Sequence, residues 1–379
     1  MQQQQTDILK PIQLSALPAK PLVSVLIPNY NYAEYIGQTL ESVLCQSYPH
    51  FEIIVCDDGS TDNSCEIIES YIDKDARIKL IRQKNQKVAV ALNTAYWKSK
   101  GEIICILDAD DIWIKQKLQR VVEGFQSQDR CGFFIHNVIE VDSKGASIKG
   151  RPMFTKMAAG WMGVYALANG GYVDNIPPAS ALSFRRDVTN LIFPLNEVMV
   201  RNTDSLIYRL APLITSIGST TEVLSQFRLH GANTSSVTLL SAECIKRGQE
   251  SAFLVHQEQK KLLQKIYGSQ MAHKLTGQEL NIIWCHECYL LSRLQYASME
   301  ECQRTHQQLV THPEFNHMFS WRKPHGFLVQ WHLPDALFWL LFNQIYGSGR
   351  LKRFVKSLLL PKFSNYRGAS TSTIAGTFD

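Results

Sequence analysis

The sequence predicts an α/β protein, a mainly parallel twisted sheet flanked by helices, followed by a smaller domain built of helices alone. Three observations carry that prediction. Short apolar runs at residues 22–27, 51–56, 78–81 and 103–107 alternate with segments of helical spacing, the pattern of strand–helix units in a parallel sheet. Turn-forming or acidic clusters follow three of these runs, at Pro28-Asn-Tyr-Asn31, Asp57-Asp-Gly-Ser-Thr-Asp62 and Asp108-Ala-Asp-Asp111. From about Leu240 onward only helical spacing is left. At 379 residues the chain exceeds one ordinary core, so two domains are expected. We place them at 22–238 and 239–379, after a flexible leader at 1–21 that contains Pro11 and Pro18.

Taken in order, the first strand, 22–27, stops at Pro28 and Asn29. Ile36, Leu40, Val43 and Leu44 then recur at helical spacing, and Pro49 closes that helix. The second strand, 51–56, runs into acids. Gly59 permits a tight turn there, and Ser60 or Thr61 is placed to cap the helix of Ile67, Ile68 and Tyr71. A third strand at 78–81 and a helix at 88–97 follow. The fourth strand, 103–107, begins after Gly101 and is apolar throughout, as a strand buried on both faces is. Right-handed crossovers put the ends of these strands on one edge, so the polar clusters converge on the crevice where open α/β sheets bind ligands.

Asp108, Asp110 and Asp111 crowd that edge. Three carboxylates so close repel one another unless a cation joins them, and hard oxygen donors suit Mg²⁺ or Mn²⁺. Mg²⁺ in turn shares its coordination with substrate phosphates. The competing reading is a solvated acidic turn that caps the next helix.

Beyond residue 111 we expect a helix at 113–125, strands at 132–136 and 138–141 with a turn at 143–145, a loop rich in glycine and aromatics at 160–172, a strand at 181–184 and a helix at 203–210. In the second domain Thr276–Glu279 and Ser298–Glu301 have capping-box spacing. Cys285 and Cys288 offer half a zinc site or two packed thiols on one helix.

Hydrophobic residues make up 45% and charged residues 19%, a globular balance. The first five residues, Met-Gln-Gln-Gln-Gln, lack an apolar signal region, and nine scattered cysteines fit reduced, buried thiols; a cytoplasmic location is expected. The net charge is +5. Arg350, Lys352, Arg353, Lys356, Lys362 and Arg367 account for that excess, with no acid between Asp335 and Asp379. The remainder is near neutral, so nucleic-acid binding is not expected. The run Leu337-Phe-Trp-Leu-Leu-Phe342 is too short to span a bilayer. Next to those cations it suits a peripheral contact with the inner face of an anionic membrane; equally it suits a core helix.

With these motifs in place, the chain resembles the family 2 glycosyltransferases, inverting enzymes of the GT-A fold, over roughly residues 22–236. The resemblance rests on residues 23–31, Asp57-Asp-Gly-Ser-Thr-Asp62, Asn85 with Asn93 and Gly101-Glu102, Leu107-Asp-Ala-Asp-Asp111, Thr203-Asp204, and Phe227-Arg-Leu-His-Gly-Ala-Asn-Thr-Ser235. It implies transfer of a sugar from a nucleotide-sugar donor, a UDP-sugar foremost, to a hydroxyl of a saccharide or lipid-linked acceptor in cell-surface polysaccharide or lipopolysaccharide synthesis. By the same resemblance Pro28 and Tyr30 border the base, Asp58 accepts its N–H, Asn85 lines the donor segment and Asp108 meets the ribose or a metal-bound water. Asp110 ligates Mg²⁺ or Mn²⁺, with Asp111 and Arg228 as support. His230 ligates the metal or pairs with phosphate. Asp204 is the base, although Thr203 stands where the family often has Glu. Trp161, Tyr165, Tyr172 and the 177–180 run are acceptor-binding or core residues.

Two other readings compete. A nucleotidylyltransferase needs a Gly-rich, basic triphosphate loop, which 28–31 is not. A catalytically inactive glycan-binding scaffold is the non-enzyme alternative.

Overall fold

The computed structural model describes residues 9–128, 130–199, 203–230, 240–319 and 324–346. The chain forms two compact units. One runs as far as His230 and takes in Leu254–Thr276; the other takes the chain up to Phe253 and from Gly277.

The first unit is built on one mixed sheet. Strands β1 (Val23–Asn29), β2 (Phe51–Asp57), β3 (Ile78–Arg82) and β4 (Ile103–Ile106) are parallel, in the order β3-β2-β1-β4. The sheet continues through strands drawn from later in the chain: β5 (Ile112–Trp113), β6 (Cys131–Val141), β7 (Ser147–Pro152), β8 (Leu182–Arg185) and β9 (Ser216–Arg228). After β4 the order is β8-β6-β9-β5, with β7 beside β6. Of these pairings only β6–β9 is parallel. The expected mainly parallel sheet is therefore the N-terminal half of a mixed one.

Strand side chains alternate between two cores. Val23, Val25, Ile27, Ile53, Val55, Ile103 and Cys105 face helices α1 (Ile36–Leu44), α2 (Ser64–Ile72) and α4 (Lys117–Ser127). Leu26, Ile54, Cys56, Ile104 and Ile106 face α3 (Lys87–Lys98) and, later in the chain, α6 (Arg186–Ile192) and α7 (Thr203–Leu210). Apolar faces on both sides are why the runs in β1, β2 and β4 read as continuous rather than alternating. Gly101 is forced by packing, since a Cβ there would lie 2.6 Å from the Leu22 carbonyl oxygen and the Ser24 nitrogen.

Several expectations needed revision. Residues 132–136 and 138–141 are one strand, β6, whose pairing with β9 slips around His136 and Asn137. That slip broke the alternation a single strand should show. Strand β9 was not expected at all: its sequence, Ser-Ile-Gly-Ser-Thr-Thr-Glu-Val-Leu-Ser-Gln-Phe-Arg, is polar and only partly buried. Trp113 starts no helix; it pairs with Ser225 in β5, and α4 begins at Lys117. The 160–172 loop contains a short helix, α5 (Gly163–Ala168). The start of α2 is held by Asp62, whose Oδ1 accepts from Ser64 N, rather than by Ser60 or Thr61.

The leader is held down over its described part. Leu9 is buried, Ile12 N donates to Ile214 O, and the Ser15 hydroxyl donates to Asp187. Nor do residues 254–276 fall in with the helices after 238. Helix α8 (Ala242–Tyr267) sends Val255, Leu262 and Leu263 into the core of the first unit, and Met271, on α9 (Ser269–His273), joins them. Gln259, fully buried, donates to Gly171 O and Arg209 O.

Among the described residues the second unit is helical, with α10 (Ile282–Leu294), α11 (Met299–Val310), α12 (Phe315–Met318), α13 (Pro324–Gln330) and α14 (Asp335–Tyr346). Ser298 caps α11 by accepting from Glu301 N, as its spacing predicted. The 337–342 run lies on α14. Phe338, Phe342 and Tyr346, spaced by four, enter the core, while Leu337 and Leu340 are exposed. No described helix is long and apolar enough to cross a membrane. The basic residues 350–367 lie outside the described residues.

Candidate active site

Parallel pairing in register brings the ends of β1, β2 and β4 to one edge. Asn29 lies beside Asp57, and Leu26 beside Ile106, so the chain enters Pro28–Asn31, Asp57–Asp62 and Asp108–Asp111 at that edge. Asp57 is structural. Its carboxylate accepts from Asn29 Nδ2 (2.8 Å), Ser60 N (2.9 Å) and Ser60 Oγ (2.6 Å). Burial pulls its pKa up, but these hydrogen bonds outweigh burial and hold it below the usual carboxylate value.

Asp58 is buried and aims at the start of α3. Oδ1 accepts from Gln83 Nε2 and Gln86 N, and Oδ2 from Lys87 N, each at 2.8 Å. It thus caps α3 rather than its own following helix. A carboxylate offers about four acceptor positions, so one stays open. Gly59 adopts φ +78°, and a Cβ there would stand 3.0 Å from Asn85 N. That close approach fixes the exposed Asn85 beside the turn. Tyr30 is 44% exposed at the end of β1, next to the half-buried Pro28.

The acidic loop is the centre of the site. Asp108, Asp110 and Asp111 each present an oxygen within 4.8 Å of the others. Asp108 is partly exposed; Asp110 and Asp111 are buried. The loop is braced from several sides. Thr39 Oγ1 donates within reach of both Ala109 O and Asp111 O, each at 2.9 Å. Arg228, almost wholly buried at the end of β9, donates from its backbone N to Asp111 Oδ1 (2.8 Å) and from Nε to Asp110 O (2.7 Å). Its other guanidinium nitrogens reach Ser143 O and Gln38 Oε1. His230 Nε2 stands 2.8 Å from Asp110 Oδ2, and the imidazole stacks on Tyr35 at 4.7 Å.

Electrostatically the loop is frustrated. Burial, followed by the charges of Asp110 and Asp204, raises the Asp108 pKa well above normal. Burial, then Asp110 and Asp108, does the same to Asp111. Asp111 Oδ2 is buried with no hydrogen-bond partner. Clustered hard oxygens, mutual repulsion and one orphaned buried oxygen fit a divalent cation such as Mg²⁺ or Mn²⁺.

Asp204, on the first turn of α7, is near enough to Asp108 for its charge to be felt there. Burial raises its own pKa, against hydrogen bonds from backbone N–H groups at the helix start. The sequence-predicted residues therefore gather: Asp108, Asp110, Asp111, Arg228 and His230 form one cluster, Asp204 lies beside it, and Pro28, Tyr30, Asp58 and Asn85 share the sheet edge.

Sequence reasoning missed two neighbours, Tyr32 and Tyr35, and the contact of a third, Ser180, with the loop. Tyr32 packs edge-on to His230, and its hydroxyl pKa is raised by burial and then by Asp110, Asp108 and Asp111. Tyr35 stacks on His230 and also packs against the Arg228 guanidinium, 4.8 Å from its ring centre. Ser180 accepts twice at the loop, its hydroxyl oxygen from Asp108 N and its carbonyl oxygen from Trp113 Nε1. Tyr32 and Tyr35 follow the 28–31 turn, a position that gave a signal; Ser180 was singled out only within the 177–180 run, as an acceptor-binding or core residue. Among the proposed acceptor residues, Trp161 packs on the core, Tyr172 lies under Arg209 at 3.6 Å, and Tyr165 is exposed and bonded to Asp174.

Comparison with known proteins follows the same lines. Residues 24–183 match the model of glycosyl transferase family 2. An uncharacterized glycosyltransferase of Nostoc sp. is 36% identical over 217 residues, 56% of this chain and 66% of the relative. A putative teichuronic acid biosynthesis glycosyltransferase of Bacillus subtilis, TuaG, is 44% identical over 115 residues, 30% of this chain and 45% of the relative. The chain thus covers between 45% and 66% of the length of these two relatives. The crystal structure of S. aureus TarS 1-349 in complex with UDP-GlcNAc superimposes with TM-score 0.52 at 18% identity, over 87% of this chain and 92% of that one. That likeness is one of fold, and it extends beyond the matched family segment. Strand order, the acidic loop at the sheet edge and the family match agree: the chain belongs to glycosyl transferase family 2.

Proposed function

We propose that this protein transfers a sugar from a nucleoside diphosphate donor to an acceptor hydroxyl, with inversion at the anomeric carbon. The observation that carries the reading is the placement of Asp204 beside, but outside, the Asp108–Asp111 cluster. One group of carboxylates is suited to the diphosphate end of the donor, and a separate one to the acceptor.

Asp110, with His230 behind it and Asp108 alongside, would hold Mg²⁺ or Mn²⁺. Such an ion neutralises the departing diphosphate. Pro28 and Tyr30 border the base, and Asp58 keeps one acceptor position for a base N–H of the uracil type, which favours a UDP-sugar. Asn85 borders the donor segment, and Asp108 is suited to the ribose. Asp111 and Arg228 hold the loop in shape. Asp204 accepts the proton of the acceptor hydroxyl as that oxygen attacks. Burial raises its pKa, which makes its carboxylate a stronger base. A single displacement of this kind inverts the anomeric centre.

The TuaG relative supports an acceptor in cell-surface polysaccharide synthesis, and a saccharide or lipid-linked saccharide is the acceptor class we infer. Peripheral membrane contact is part of the same reading. The exposed Leu337 and Leu340 of α14 precede the cationic end in sequence. The test is a nucleotide-sugar panel with Mg²⁺ or Mn²⁺, following nucleoside diphosphate release by wild type and Asp110→Ala. Metal-dependent release from one donor, lost in the variant, is expected. Release from none, or full activity in the variant, would overturn the proposal.

A further inference from the structure

We propose that Ser180 is a positioning residue that fixes both ends of the acidic loop and so sets its geometry for a divalent cation and diphosphate; this rests on the reading given above. Strands β4 and β8 run antiparallel, with Cys105 opposite Ser183. Continued along both chains, that register puts Asp108 opposite Ser180. Backbone pairing has stopped by then, because a 3-10 turn at Ala179–Ala181 swings the chain aside. The next rung is made by a side chain: Asp108 N donates to Ser180 Oγ at 3.1 Å.

The same residue holds the far end of the loop. Trp113 Nε1 donates to Ser180 O at 2.8 Å. Ser180 is 1% exposed, so water does not compete for either bond. Thr39 and Arg228 hold the middle of the loop. Loss of the hydroxyl frees the Asp108 end while the middle stays anchored. The effect therefore falls on cation geometry more than on the fold.

The test uses the full chain as wild type, Ser180→Ala and Ser180→Thr. Electron paramagnetic resonance reads Mn²⁺ binding, alone and with UDP; kcat and the Tm of metal-free protein are measured alongside. The expected result is that Ser180→Ala weakens Mn²⁺ binding and lowers kcat, each by about tenfold or more, as loss of outer-shell partners does. Its Tm stays near wild type, and Ser180→Thr, which keeps the hydroxyl, regains affinity. Wild-type protein that leaves Mn²⁺ free would overturn the metal reading and this proposal with it. If wild type binds Mn²⁺ and Ser180→Ala matches it in affinity and kcat, only the role of Ser180 falls. It also falls if the losses track a drop in Tm that Ser180→Thr does not reverse.

Discussion

His230 Nε2 lies 2.8 Å from Asp110 Oδ2, with both side chains less than a tenth exposed. The two residues are 120 positions apart in the chain, joined because β9 ends next to the loop that follows β4. A hydrogen-bonded imidazole at that distance orients the carboxylate, and it can turn to share a cation with it. His230→Ala should therefore weaken Mn²⁺ binding by roughly 10- to 100-fold. Titration followed by electron paramagnetic resonance would check this, and unchanged affinity would remove His230 from the site.

Arg228 is a brace rather than a charge for the substrate. Its backbone N and guanidinium meet Asp111, Asp110 O, Ser143 O and Gln38. Arg228→Met would orphan several of these buried acceptors and should cost about 3 kcal/mol or more in stability. Arg228→Lys should recover little of it, since an ammonium cannot reproduce the planar fork. Urea unfolding of metal-free protein gives the comparison; a loss below about 1 kcal/mol would contradict the role.

The frustrated loop makes stability depend on pH in a defined direction. The folded-state pKa of Asp111 is raised, chiefly by burial. Its contribution is thus fully present below the unfolded carboxylate pKa and is lost as pH rises through the folded value. Asp111→Asn removes that loss and keeps an acceptor for Arg228 N. In the presence of a chelator, the variant's stability relative to wild type should rise with pH above the ordinary carboxylate range. A difference that stays flat from acid to neutral pH would refute the assignment.

In the second unit, both ring nitrogens of His286 are buried without a hydrogen-bond partner. Burial, then the charge of His325, lowers its pKa to about 3. Here the unfolded state takes up the proton first. Stability is present above the unfolded His pKa and falls with acidification until the folded value is reached. His286→Leu should flatten that acid limb and add about 1–3 kcal/mol at neutral pH. Denaturation at several pH values would test it, and an unchanged acid limb would count against it.

How much of this was legible in the sequence depended on locality. The strands β1, β2 and β4 announced themselves because burial on both faces leaves an unbroken apolar run. The acids at their ends were equally visible, and parallel topology alone predicted that they converge. β9 was invisible because its register slips against β6 and much of it stays half exposed. Arg228 and His230 were nonetheless found, through the motif that contains them. Ser180 was read only within the 177–180 run, as acceptor-binding or core, since its register relation to Asp108 is one that only the folded sheet creates. Over its described residues the tail read correctly as helical. Its division did not, because α8 is one continuous helix whose later half carries Val255, Gln259 and Leu263 into the first unit.

The most direct test of the whole account is the turnover of Asp204→Asn with the donor that wild type accepts. The substitution keeps the shape of the side chain and removes its basicity. If Asp204 takes the acceptor's proton, kcat should fall by about 10²- to 10⁴-fold while Mn²⁺ and nucleotide binding stay as in wild type. A variant that turns over at the wild-type rate would contradict the mechanism.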